Sequence, residues 1–385
     1  MMIAKHNAGH LIALAAGGTG GHVFPAEALA QELQAQGHRL MLITDRRGAI
    51  FGGTLGQIET QRINAGALAG RGLLDRAGGM ANLALGYFQA RQILQRTRPS
   101  VVVGFGGYAA APSVLAATNL RLPSVIHEQN AILGRANRML APRVETVCTS
   151  FADVDIPAGP HVERTGMPVR PAVAAVREIA YNAPVQDGPF RLLITGGSQG
   201  ARVFSEVIPA AIAKLPRGLA RRLEIFQQCR PEDLERVEAA YGEIGVHAQL
   251  QSFFENMPQL LANTHLMIAR SGSSTVAELA VAGRPSLLVP YPYAADDHQT
   301  ANAKALAAAG GAWLMKQDDF TVDSVATRLS QFLAAPQVLP GAAASAAAFA
   351  IPDAAARLAT VVASIIRVKS AMSTPTISNT TNGAV

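Results

Sequence analysis

Twice along the chain an apolar run ends in a cluster of glycines and restarts as a helical pattern, first in LIALAAGGTGGHVFPAEALAQEL at 11–33 and again in RLLITGGSQGAR at 191–202. A strand that passes into a helix through glycines is the opening unit of a parallel α/β sheet. Glycine reaches positive φ at the tight turn, and the bare backbone leaves N–H groups open to a ligand at the helix N-terminus. Two such openings within 385 residues predict two domains, since one hydrophobic core seldom organises a chain of that length.

Short apolar runs alternate with helical patterns throughout, as βα units require. Strands are expected at 11–16, 39–44, 101–104, 124–127 and 146–149, then at 191–195, 223–227, 247–251, 266–269 and 286–290. Between the two sets lies 166–190, which holds four prolines. The predicted fold is α/β, two Rossmann-like domains with parallel sheets facing across a cleft, residues 1–168 forming the first and 169–350 the second. A last helix over 351–369 sets Leu358, Val361, Val362, Ile365 and Ile366 on one face and is expected to return to the first domain. The Ser/Thr/Asn-rich residues 370–385 are expected to be disordered.

Composition narrows the function. Hydrophobic residues at 49% against 16% charged supply two cores and exclude global disorder. A net charge of +6 predicts an anionic partner, a nucleotide, a lipid phosphate or an acidic membrane surface, while the lack of a dense basic run interleaved with aromatics disfavours nucleic acid. Cys148 and Cys229 have neither disulfide nor zinc spacing and suit a reducing cytoplasm. With no run of 18 apolar residues, any membrane association is expected to be peripheral. The segment 68–99 mixes leucines and aromatics with five arginines; a loop over 68–80 is expected to rest on anionic lipid, with most of the following helix buried.

Neither glycine turn ends in the Gly-Lys-Ser/Thr of a Walker A loop, which disfavours nucleoside triphosphate hydrolysis. Asp45 after the second strand keeps a dinucleotide-dependent dehydrogenase open. A third turn, VVVGFGGYAAAP, would join the other two at the carboxyl edge of the sheets. In the second domain Ser271, Ser273 and Ser274 are expected to cap a helix aimed at a diphosphate, Glu278 could accept from two ribose hydroxyls, and Asp296, His298, Gln299 and Asn302 suit sugar hydroxyls. Asp296 and Asp297 serve equally well as loop and cap residues and stay outside the catalytic set. The glycine turns and the 269–306 stretch carry no DxD-type metal motif, and neither metal nor cofactor is expected.

Six ordered motifs, GGTGGHVFPAEALA, GFGGYAAAP, IHEQNAILGRANR, TGMPVR, TGGSQGAR and RSGSSTVAELAVAGRPSLLVPYPYAADDHQTANA, make the chain resemble the MurG family of GT-B glycosyltransferases over roughly residues 10–310. The resemblance implies inverting transfer of GlcNAc from UDP-GlcNAc to the C4 hydroxyl of the muramoyl-pentapeptide on undecaprenyl diphosphate, lipid I to lipid II. The enzyme would sit peripherally on the cytoplasmic face of the inner membrane, with cell-wall synthesis proteins as possible partners. Carried over by residue, it assigns Ser198 to the donor phosphates, Arg170 to the interdomain donor site, Phe254 to the uracil, Glu278 to the ribose, and Gln299 and Asn302 to the GlcNAc hydroxyls. His298 departs from the glutamine seen in some members. Thr19, Gly20, Gly21, His22, Tyr108, Glu128 and Asn130 fall on the acceptor side, Asn130 and the 19–21 turn also reaching the donor. His22, with an ordinary pKa near 6.5, suits a general base at neutral pH, and equally an acceptor-diphosphate contact or a water-orienting role. Tyr108 suits packing as readily as substrate contact. Helix N-termini and Arg170 would stabilise the leaving group. A UDP-GlcNAc 2-epimerase shares the architecture without needing the 68–99 segment, and a nucleotide-sugar binding module would lack His22 and Glu278.

Overall fold

A computed structural model describes residues 9–17, 20–45, 53–66, 73–197 and 200–373. Among them two parallel sheets form. The first holds β1 (Leu11–Ala15), β2 (Arg39–Asp45), β3 (Glu59–Ile63), β4 (Val101–Gly104), β5 (Ser124–Glu128), β6 (Thr146–Thr149) and β7 (His161–Arg164), in the order β3-β2-β1-β4-β5-β6-β7. The second holds β8 (Phe190–Thr195), β9 (Leu223–Gln228), β10 (His247–Gln251), β11 (Leu266–Ala269), β12 (Ser286–Leu288) and β13 (Ala312–Leu314), in the order β10-β9-β8-β11-β12-β13. In each sheet the chain starts centrally, moves to one edge and then returns to the other side of the first strand, which opens a crevice at the carboxyl ends beside β1 and β8.

The central strands are buried on both faces because helices cover both, and this is why they read as unbroken apolar runs. Ile12, Leu14, Val101 and Val103 pack on one face of the first sheet, and Ala13, Met41, Ile43 and Val102 on the other. Three strands were not expected from the sequence: β3, β7 and β13. Each lies at a sheet edge, and ETQRI and HVER carry no apolar alternation because an edge strand facing water needs none.

The last helix, Ala354–Ser373, buries Leu358, Val361, Val362 and Ile366 in the core of the first sheet, alongside Leu29, Ala30 and Leu33 of the helix Gly20–Ala35. The chain therefore crosses between domains twice. At the first crossing Gly166 has φ +83, and a Cβ there would stand 2.6 Å from the Cβ of Ile351 in the second, so only glycine lets the two crossings touch. Residues Pro336–Lys369 are apolar enough, at a mean hydropathy of 1.6, to span a bilayer by length and composition. They are folded instead as two helices, Leu339–Phe349 and Ala354–Ser373, whose apolar faces lie in different cores.

Two expectations are corrected. Helix continues through Ser373, so the predicted disorder does not begin at 370; Ala and Met at 371–372 carry good helix propensity and prolong a helix already nucleated. The remaining tail lies outside the described residues. The loop expected over 68–80 is helical from Leu73, in a helix running to Thr97; Met80 is exposed as expected, while Leu85 and Phe88, in the part expected to be mostly buried, are exposed.

Candidate active site

A cleft of about 980 Å³ runs between the carboxyl edges of the two sheets. Gly21, His22, Phe24 and Asn130 line it from the first domain and Arg170 from the crossing segment. The second domain contributes the Gly196–Gly197 turn, the N-terminus of the helix Ser273–Ala282 with Glu278, and Gln299.

His22 lies in the first turn of the helix Gly20–Ala35 that follows β1, and its ring lies over the third glycine turn. A Cβ on Gly106 (φ +82) would come within 3.1 Å of His22 Cε1, and one on Gly107 (φ +77) within 3.2 Å of Cδ2. The glycines of GFGG thus make room for the imidazole as well as for a ligand. His22 Nδ1 is buried without a hydrogen-bond partner among the described residues. Burial lowers the pKa of the ring from its ordinary value; the Glu128 carboxylate, the Phe105 carbonyl and the Gln129 side chain oppose that shift, and His298 across the cleft adds to it.

On the facing wall, the helix Ser273–Ala282 starts from Gly272, and none of the three serines caps it. Ser271 instead donates to the carbonyl of Gln299 (2.8 Å), and Ser274 Oγ is buried with no partner among the described residues. The expected cap is absent because Gly272 occupies the N-cap position, one residue off either serine. The helix N–H groups are thereby left open to the cleft.

Glu278, one turn further, is partly buried and ion-paired with Arg170, Nε at 3.0 Å and Nη2 at 2.9 Å from Oε1. Burial raises its pKa, and the Arg170 charge and hydrogen bond pull it back. The Arg170 guanidinium also lies 4.7 Å from the ring centre of Phe24, so one side chain touches an aromatic of the first domain and a carboxylate of the second. Gln299 Oε1 accepts from the backbone N–H of Tyr291 (2.9 Å). Phe254 is buried at the cleft floor while its neighbour Phe253 is 61% exposed.

Two of the sequence-predicted site residues, Asn302 and Glu128, are engaged by protein partners. Asn302 is fully buried. Its Oδ1 accepts from Ala131 N–H (2.8 Å), and its Nδ2 donates to Asn130 Oδ1 and Ser271 O, both at 3.1 Å, which ties the amide into a bridge between domains. Glu128 is likewise buried, accepting from Asn130 N–H, Gly134 N–H and the amides of Asn130 and Asn137. Both residues hold the 129–137 loop, and with it Asn130, against the cleft. Thr19, Ser198 and the side chain of Tyr108 lie outside the described residues; Gly20 begins the first helix and Gly21 lines the cleft.

Sequence reasoning missed Arg270 and Arg135. Arg270 is buried under the cleft, donating to the carbonyls of Val289 (3.1 Å) and Pro290 (3.0 Å) and to Gln317 Oε1 (2.6 Å), with burial lowering its pKa to about 10. Arg135 forms a bidentate pair with Asp296 across the domain boundary, at 2.7 and 3.1 Å, where Asp296 and Asp297 both take positive φ. The order R-S-G in the motif could have marked Arg270 as an arginine placed directly at a strand end; nothing in the sequence pairs 135 with 296.

The sequence matches the glycosyltransferase family 28 N-terminal domain over residues 12–149 and the glycosyltransferase family 28 C-terminal domain over residues 191–358. Among similar proteins is the UDP-N-acetylglucosamine--N-acetylmuramyl-(pentapeptide) pyrophosphoryl-undecaprenol N-acetylglucosamine transferase of Paramagnetospirillum magneticum. It is 56% identical over 92% of this chain and 97% of its own length. The protein of the same description from Rhodospirillum centenum is 54% identical over 94% and 97%. Among solved structures, Acinetobacter baumannii MurG superposes with a TM-score of 0.73 at 32% identity, covering 92% of this chain and 99% of that one. A UDP-GlcNAc 2-epimerase from Neisseria meningitidis bound to UDP-GlcNAc reaches 0.61 at 14% identity over 93% of this chain and 100% of that one, a likeness of fold alone.

Proposed function

The chain belongs to glycosyltransferase family 28, and within it to the MurG transferases, and from that membership we propose how its cleft works. The enzyme transfers GlcNAc from UDP-GlcNAc to lipid I, forming lipid II in peptidoglycan synthesis. One observation carries the reading of the site: the cleft has, on one wall, an imidazole nitrogen buried without a hydrogen-bond partner among the described residues and, on the other, a helix N-terminus without a side-chain cap and a partly buried carboxylate.

In this reading UDP-GlcNAc lies on the second domain. The Gly196–Gly200 turn with Ser198 and the N–H groups of Ser273 and Ser274 receive the diphosphate. Glu278, kept ionised by Arg170, accepts from the ribose hydroxyls; the backbone at Phe254 meets the uracil; Gln299 meets the sugar. The acceptor enters along Gly20, Gly21 and Tyr108, with Thr19 and Asn130 reaching both substrates, and Glu128 and Asn302 act by holding Asn130 in place. His22 takes the proton of the C4 hydroxyl. That oxygen bonds to C1 of GlcNAc, the bond from C1 to the β-phosphate oxygen breaks, and the electron pair leaves with UDP, inverting C1 from α to β. Charge grows on the leaving diphosphate, where Arg170 and the helix N-termini stabilise it.

Membrane contact belongs to the helix Leu73–Thr97. Met80 is 65% exposed and Phe88 64%, and with Leu85 they fall within less than half of the helix circumference. With a net charge of +6, this supports peripheral seating on the anionic cytoplasmic face of the inner membrane, where a lipid-linked acceptor is delivered and where other cell-wall synthesis proteins could dock.

The test is incubation of the purified protein with UDP-GlcNAc and a short-chain lipid I analogue. A β-1,4-linked GlcNAc product with acceptor-dependent UDP release supports the reading; UDP-GlcNAc binding without acceptor-dependent turnover contradicts it.

A further inference from the structure

Four arginines of the second-domain half line the cleft or its floor, and three of them are electrically or sterically committed. Arg170 is paired with Glu278, Arg202 with Glu206 at 2.7 Å, and Arg270 spends its guanidinium on two carbonyls and Gln317. Arg230 is different. It lies two residues beyond β9, at the carboxyl edge next to the β8 turn, and lines the same cleft. Its Nε is buried without a hydrogen-bond partner among the described residues, and the carboxylate of Glu232, 68% exposed, stands 4.0 Å from Nη1. The stem of the side chain rests on Gly200 (φ +67), where an added Cβ would be 3.0 Å from Arg230 Cγ, so the residue is built onto the glycine turn itself.

A buried N–H without an acceptor is costly, and a guanidinium whose ion pair with Glu232 is long and exposed leaves much of its charge uncompensated. Both conditions are relieved by an anion bound at the turn. Placed beside Gly200, and resting on the reading above that puts the donor phosphates at that turn, we infer that Arg230 is a further donor-binding residue that contacts the diphosphate of UDP-GlcNAc and of the product UDP. The chemistry selects the diphosphate over the sugar. A neutral hydroxyl would satisfy the Nε–H but leave the charge unbalanced, whereas a phosphate oxygen does both.

Because its charge serves the diphosphate, Arg230 affects ligands in proportion to their phosphate content. The experiment compares wild type with Arg230→Gln and Arg230→Lys, measuring binding of UDP, UMP and uridine by calorimetry, KM and kcat for UDP-GlcNAc, and the thermal midpoint. Loss of one charge-assisted contact predicts UDP affinity and the KM for UDP-GlcNAc worse by about ten- to a hundredfold in Arg230→Gln, with uridine unchanged within about twofold. Arg230→Lys, which keeps the charge but not the fork, is predicted to recover part of the UDP affinity. Unchanged UDP binding in Arg230→Gln, with wild type binding UDP tightly, overturns the inference while leaving the site reading intact. Equal weakening of uridine and UDP overturns it too, since the residue would then shape the turn or meet the base. A wild type that binds uridine no worse than UDP overturns the inference together with the placement of phosphates at this turn.

Discussion

At His22, burial withholds a proton that the Glu128 carboxylate and the neighbouring Phe105 and Gln129 would each invite, and the balance leaves the ring less basic than a free histidine. A general base must be neutral to work, so the lowered pKa keeps His22 competent well into mild acid. The acidic limb of kcat/KM for the acceptor is therefore expected to bend below pH 6.5; a bend above 6.5 would mean that the titrating base is another group. Glu278 presents the opposite case, a partly buried carboxylate whose pKa is raised by desolvation and pulled back by Arg170. Glu278→Gln is expected to raise the KM for UDP-GlcNAc about tenfold or more, the worth of charge-assisted hydrogen bonds to a ligand, with a smaller change in kcat. An unchanged KM would remove Glu278 from the donor site. The glycine turns were legible because their chemistry is local, whereas Glu278 was singled out only through the motif that carries it. The Arg170 pair and the Asn302 bridge were not legible, because each joins positions more than a hundred residues apart and only the packed fold brings them together.

Among the elements, the strands that flank the cleft could be read from sequence because burial on both faces demands unbroken apolar runs, as in VVVG and LMIA. The edge strands ETQRI and HVER escaped because water, not packing, covers one side of them. Helix ends depend on something less visible. Arg284 is fully buried and donates to the carbonyls of Leu261, Ala262, Ala282 and Ile179, thereby closing the ends of Met257–Asn263 and Ser273–Ala282, the helix that faces the cleft. Arg284→Met would leave those carbonyls unmet at roughly 1–3 kcal/mol each, so urea unfolding is expected to show a loss of about 3 kcal/mol or more. A loss below about 1 kcal/mol would show that water replaces the guanidinium. The closing helix carries a comparable weight. Leu358, Val361, Val362 and Ile366, at about 1.5–3 kcal/mol for each buried side chain, together approach the whole stability of an ordinary domain. A chain ending at residue 352 is expected to have a first domain that is cleaved rapidly by protease while the second resists; equal resistance of both would contradict the packing argument.

For the molecule as a whole, two buried histidines tie stability to pH. His127 donates through Nε2 to the Gly166 carbonyl (2.8 Å) with Nδ1 facing the Gln129 amide, and His265 Nδ1 accepts from the Arg191 N–H (3.0 Å), so each is held neutral. Burial lowers both, His265 to about 4. Because the unfolded chain takes up these protons near pH 6.5 and the folded chain only lower, their stabilisation is complete above 6.5 and is lost as pH falls toward 4. The urea midpoint is expected to drop between pH 7.5 and 5, and a flat profile would contradict buried neutral imidazoles. Two chain crossings, near 166–190 and near 350, are the natural hinges. Polar contacts that span them, among them the Arg170 bridge, the Asn302 bridge and the exposed Arg135–Asp296 pair, would have to rearrange if the domains rotate when donor binds. The account as a whole rests on chemistry occurring in the cleft between these bodies, with His22 taking the acceptor proton. Acceptor-dependent UDP release by wild type and His22→Ala, with KM for UDP-GlcNAc measured in both, tests this most directly. The prediction is a fall in kcat of about a hundredfold or more with the donor KM little changed; a variant that turns over at the wild-type rate would place the chemistry elsewhere.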